Sequence, residues 1–140
     1  MKTVLITGAT SGIGLQLAKD YADNGFEVYA CGRNEERLSE LKDTFTNIHP
    51  IAFDLTDLEA TTIALNSLHS IPDLWILNAG DCEYIDDGKL DALLMKRVFD
   101  INVIGLTNAI EACQKYFARG QRLAIVGSIA SELALPRAEA

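Results

Sequence analysis

The apolar run Val4-Leu5-Ile6 near the start of the chain opens directly into Thr7-Gly8-Ala9-Thr10-Ser11-Gly12-Ile13-Gly14, and no other stretch limits the fold as strongly. A short buried strand that turns through glycines into a helix gathers backbone N–H groups and the positive end of a helix dipole at one point. Such a point attracts phosphate. Gly8 lets the chain leave the strand sharply, Gly12 lets the backbone come close to a pyrophosphate, and Gly14 lets the helix pack tightly on its strand. Thr10, Ser11 and Ile13 stand between the glycines and border the same point. A P-loop would carry Gly-Lys-Ser/Thr after four intervening residues; no Lys lies in this turn, which disfavours nucleotide hydrolysis. A purely structural turn built on three glycines remains the alternative.

Beyond the turn, apolar periodicity alternates between two templates. Ile13, Leu17 and Tyr21 recur at helical spacing, with Leu15 and Ala18 beside them, until Asn24-Gly25 closes the helix. A strand is expected at 26–30, a helix at 35–43, a strand at 48–53, a helix capped by Asp57 and running to about Leu68, and a strand at 74–77. One long helix follows over 89–117, with Leu90, Leu93, Leu94, Val98, Ile101, Ala109 and Ala112 inward and a bend near Gly105. Residues 123–126 form the fifth strand. All the strands are continuously apolar, as expected when both faces are covered. Five strands alternating with four helices imply a parallel sheet that binds ligands along its C-terminal edge.

Composition narrows the class of partner. One domain over residues 1–140 is expected, since 49% apolar residues can fill a core of that size. Twelve basic residues against 20 acidic give a formal charge of -8 without any basic cluster, which argues against nucleic acid. No apolar stretch reaches the roughly 20 residues of a membrane span, and the first one is too short for a signal peptide. A cytoplasmic protein is expected. Cys31, Cys82 and Cys113 are odd in number and widely separated, so reduced, mostly buried thiols are expected and no metal site. His49 and His69 belong to no motif.

The strand ends carry polar residues suited to a dinucleotide. At the second, Cys31-Gly32-Arg33-Asn34 offers no acid for a ribose 2′-hydroxyl. Arg33 can pair instead with a 2′-phosphate and Gly32 leaves room for it, which favours NADP(H) over NAD(H). The alternative is a solvated charge beside Arg37. The glycine spacing Thr-Gly-x-x-x-Gly-x-Gly, Asn78-Ala79-Gly80 after the fourth strand, Asn102 in the long helix and Ser128 after the fifth together resemble the classical short-chain dehydrogenase/reductase family. Leu77 stands where the family commonly has a further Asn. The related epimerases and dehydratases favour a shorter spacing, Thr-Gly-x-x-Gly-x-x-Gly, and are held as a lesser reading.

The resemblance implies a doubly wound Rossmann fold with helices on both faces of the sheet and strand order 3-2-1-4-5. It implies that the Asp54 side chain and Leu55 backbone meet the adenine ring, though Asp54 alone could simply cap a turn. Asn78 ties strands together, while the small Ala79 and Gly80 let the cofactor lie close. Ser128 corresponds to the catalytic Ser that holds the substrate oxygen, with Ser131 the lesser candidate. Asn102 corresponds to the Asn that holds a relay water; a local bend is its alternative.

The family's Tyr-x-x-x-Lys pair has no counterpart: Tyr21, Tyr29, Tyr84 and Tyr116 all lack a Lys four positions later. It would fall just beyond Ala140, and 135–140 reads as a lead into that helix. The expectation is therefore the N-terminal, incomplete part of a longer NADP(H)-dependent oxidoreductase acting on a small carbonyl or alcohol substrate, homo-oligomeric when whole. A non-catalytic NADP(H)-binding or regulatory module is the alternative from another class.

Overall fold

A computed structural model describes residues 2–133 of the chain. The expected lead-in at 135–140 lies outside the described residues. Five strands, β1 (Thr3–Thr7), β2 (Glu27–Gly32), β3 (Ile48–Ala52), β4 (Leu74–Leu77) and β5 (Arg122–Ile125), form one sheet in the order β3-β2-β1-β4-β5. Every pairing is parallel. This is the expected doubly wound sheet. Helices α1 (Gly12–Asp23), α2 (Glu35–Thr44) and α3 (Leu58–Asn66) fill the first three crossovers. The last holds α4 (Ala92–Phe99), a π-helical segment (Asp100–Gly105), α5 (Leu106–Cys113) and a 3-10 turn (Gln114–Tyr116).

Alternate residues of each strand serve opposite faces of the sheet, and both faces are covered. On one, Val4, Ile6, Val28, Ala30, Ile48 and Ile76 pack against Ala18 and Ala22 of α1 and Leu38 and Leu41 of α2. On the other, Leu5, Tyr29, Cys31 and Trp75 meet Leu65 of α3 and Ala112 and Cys113 of α5. A third cluster, Leu55, Leu77 and Ala109, closes the core under the C-terminal edge of the strands. That edge is therefore held by α5 from below. Three helices start on side-chain caps: Asn34 accepts from the Arg37 N–H, Asp57 from the Ala60 N–H, and Asp91 from the Leu93 and Leu94 N–H groups.

Three expectations need correction. The long helix is not one bent α-helix from 89 to 117: it starts at Ala92, and the departure is a π segment ending at Gly105. Leu90 and Leu93 are 75% and 70% exposed rather than inward, because α4 turns Leu94 and Val98 to the interior, where they pack with Ile85. The fifth strand is not covered on both faces. Leu123, Ile125 and Val126 are exposed, because no core cluster of the described residues takes a side chain from β5, which is also an edge strand paired only with β4. No helix among the described residues is long and apolar enough to cross a membrane.

Candidate dinucleotide site

The C-terminal ends of all five strands open on one groove of about 1320 Å³. Its first wall is the glycine turn. Gly8 has φ +68°, and a Cβ there would stand 2.9 Å from the Ala79 Cα. A Cβ on Gly14 would stand 2.1 Å from the Gly8 carbonyl oxygen. Both glycines are thus required by close packing of strand, turn and helix. Gly12 differs: its φ is +51° and a Cβ would meet nothing within 4 Å, so its backbone faces open space. Ser11 precedes α1 in extended conformation, and its side chain makes no capping hydrogen bond. The first N–H groups of α1 are left to the groove, unlike those of α2, α3 and α4.

The second wall comes from β4 and is locked to the first. The Thr7 hydroxyl accepts from the Asn78 and Ala79 N–H groups at 3.0 and 3.1 Å. The Asn78 amide donates to the carbonyls of Thr7 at 3.1 Å and Gly8 at 3.5 Å. Thr7 is 1% exposed, and sequence reading missed its role because its partners lie 71 and 72 residues away. Beyond Gly80, the Asn102 amide pairs with both backbone polar groups of Asp81. Its Oδ1 accepts from the Asp81 N–H and its Nδ2 donates to the Asp81 carbonyl, each at 2.8 Å. Asn102 lies within the π segment, a form of helix often found at functional sites. The amide is thus satisfied, within a π segment where the sequence suggested a bend.

At the far end of the groove, Gly32 lies under Thr10, whose Cγ2 would be 2.6 Å from a Cβ added there. Arg33 follows it, exposed on the groove wall. Asp54 does not line the groove. Its Oδ1 accepts from the Thr56 N–H at 2.9 Å and from the Thr56 hydroxyl at 2.8 Å, so its side chain closes a turn. Partial burial would raise the Asp54 pKa, but those two hydrogen bonds and the Arg33 charge outweigh it and hold the carboxyl below its usual range. Leu55 does line the groove, as does Phe53. Asn108, also missed, is buried in α5 and donates from Nδ2 to the Leu55 carbonyl at 2.8 Å.

Ser128 closes the groove beside β4. Val126 donates to the Leu77 carbonyl at 3.1 Å, which carries Gly127 and Ser128 past the end of β5 next to Asn78. The Ser128 hydroxyl accepts from the Ala130 N–H at 3.1 Å, and Ser131 turns its own hydroxyl back to the Ser128 carbonyl. Of the expected site residues, Gly8, Thr10, Ser11, Gly12, Ile13, Arg33, Leu55, Asn78, Ala79, Gly80, Asn102 and Ser128 surround one space, whereas Gly14 and Asp54 support it from outside. Cys82, not singled out from sequence, is an exposed thiol on the same wall.

The family model described as short chain dehydrogenase matches residues 2–139. The chain belongs to this family. A protein of Haemophilus influenzae named as a probable NADP-dependent dehydrogenase is 37% identical over 109 residues, which cover 74% of this chain and 43% of that protein. The crystal structure of serine dehydrogenase from Escherichia coli superposes with a TM-score of 0.90 at 27% identity, over 97% of this chain and 66% of that one. A 3-oxoacyl-[acyl-carrier protein] reductase of Brucella melitensis, solved with bound NAD, matches with a TM-score of 0.88 at 25% identity, over 98% of this chain and 57% of that one. The chain spans about half or less of the length of the curated short-chain dehydrogenase relatives that head the comparison.

Proposed function

We propose that residues 1–140 form the NADP(H)-binding domain of a short-chain oxidoreductase that moves hydride between the nicotinamide and a carbonyl or alcohol carbon. The observation that carries the reading is the uncapped start of α1 at Ser11-Gly12, open to the middle of a groove that bears Arg33 to one side. In this reading the α1 N-terminus and the Gly12 backbone take the pyrophosphate, and Arg33 takes the 2′-phosphate. Leu55 borders the adenine, with Asp54 fixing the turn that carries it, and Ala79 and Gly80 leave room along β4. NADP(H), when bound, supplies or accepts the hydride.

Ser128 would hold the substrate oxygen as charge develops on it, and Asn102 would keep the Asp81 peptide and a relay water in place. The family's acid–base pair has no counterpart in these 140 residues, so turnover is assigned to the whole protein. A homo-oligomer in the cytoplasm is part of the proposal; Phe99, Val103 and Ile104, exposed along the last crossover, support the self-association.

Titration with NADPH and NADH tests the cofactor assignment. NADPH should bind more tightly, and Arg33→Ala should weaken it by about 1.5–3 kcal/mol, roughly 10- to 100-fold, leaving NADH unaffected. Tighter NADH binding, or an unchanged NADPH affinity in Arg33→Ala, contradicts the 2′-phosphate contact.

A further inference from the structure

A buried amide that faces the groove's adenine end from behind calls for a reason. Asn108 is 8% exposed in α5, beside Ala109 and Ala112, where a leucine, of the same branched shape though larger, would add apolar burial. Its Nδ2 instead donates at 2.8 Å to the carbonyl of Leu55, 53 residues earlier in the chain. Leu55 is itself 7% exposed and contributes to the groove wall. Gly105 brings the helical segment close to the same residue, since a Cβ there would lie 3.3 Å from the Leu55 Cβ. The Leu55 peptide is thereby gripped at its carbonyl and packed at its side chain by one element. The segment on its other side is fixed separately, by the Asp54–Thr56 turn.

We propose that Asn108 is a positioning residue for the adenine end of the cofactor: its hydrogen bond sets the plane of the Leu55 peptide, and hence the surface offered to the base. The inference rests on the dinucleotide reading above and adds a residue that touches no part of the cofactor. Removing the amide donor leaves the buried Leu55 carbonyl with only the Thr61 hydroxyl, 3.5 Å away and bonded more closely to the Asp57 carbonyl at 2.7 Å, so the peptide rotates to improve its pairing. Such rotation displaces the adenine contact and leaves the nicotinamide end, across the switch point between β1 and β4, as it was.

The test uses adenosine 2′,5′-bisphosphate, which carries the adenine half alone, with thermal melting of the same samples. Binding to the unmodified chain is the condition set by the dinucleotide reading; its absence overturns that reading and the inference with it. Given binding, Asn108→Leu should weaken the bisphosphate tenfold or more, with reduced nicotinamide mononucleotide binding unchanged. Asn108→Asp supplies the second arm. Relative to the unmodified chain at each pH, its affinity should be low at pH 8, where the carboxylate faces the Leu55 carbonyl, and should recover by pH 5, where the protonated acid donates in place of the amide. A lowered melting temperature with unchanged bisphosphate affinity, or a Asn108→Asp ratio flat with pH, makes Asn108 a purely structural residue and overturns the inference.

Discussion

The three cysteines are chemically unequal because their surroundings differ. Burial pushes the Cys31 thiol far above its ordinary range, and the Cys113 thiol up from 9.0 to about 11. Cys82 alone is exposed. With a thiol-specific alkylating reagent at pH 8, the exposed Cys82 should react first and the buried Cys113 well after it, its own thiolate fraction cut on the order of a hundredfold by the rise from 9.0 to about 11. NADPH should slow the Cys82 reaction, since that residue lies on the groove wall. Equal rates at all three positions in the folded protein would rule this out, as read by mass spectrometry of the modified chain. The sign for stability follows: the Cys113 contribution is complete below pH 9 and is lost as pH rises towards 11, because the unfolded thiol ionises first. Packing and capping roles were legible in the sequence where they are local, as at Gly8 and Gly14 or at the Asp57 cap. Thr7 and Asn108 were not, because what they do depends on partners 71 and 53 residues distant.

Elements follow from periodicity wherever both faces of a strand or one stripe of a helix are buried, as in β1, β2 and α2. They depart from it where that condition fails. Leu90 and Leu93 carry the apolar signal of an inner helix face and are exposed, and β5 reads as a central strand although it lies at the edge among the described residues. Asp100 to Gly105 are all weaker helix formers, which loosens the α-helical ladder there without specifying a π turn; the turn forms around the Asn102–Asp81 pairing, which periodicity does not show. The strand-turn-helix unit gives the sharpest contrast, between two glycines two positions apart. Gly14→Ala would force a Cβ to within 2.1 Å of the Gly8 oxygen and 2.5 Å of the Asn78 amide, and should cost about 3 kcal/mol in urea unfolding as the element spreads. Gly12→Ala meets no atom and should cost only about 1–2 kcal/mol of left-handed strain, yet should weaken NADPH binding strongly, because its methyl group would stand in the open space proposed for the pyrophosphate. If the two substitutions had the same effect on both readouts, the division between a packing glycine and a ligand-facing glycine would be wrong.

At the scale of the molecule, a parallel sheet brings residues from five separate strand ends to one edge. Residues spaced over 120 positions, from Gly8 to Ser128, thus come to share a groove. The order β3-β2-β1-β4-β5 places the glycine turn at the centre, with the Arg33 end on one side and the Ser128 end on the other. A bound dinucleotide lying across that edge would have its phosphates over β1 and its two bases apart. Amide chemical shifts in an NMR titration with NADPH test this placement most directly. The largest changes should fall on Ser11, Gly12 and Ile13, with smaller ones at Arg33 and Leu55 to one side and at Gly80 and Ser128 to the other. Changes confined to the small cleft between α1 and α2 around Lys19 and Arg37, or no change in the glycine turn at saturating NADPH, would contradict it.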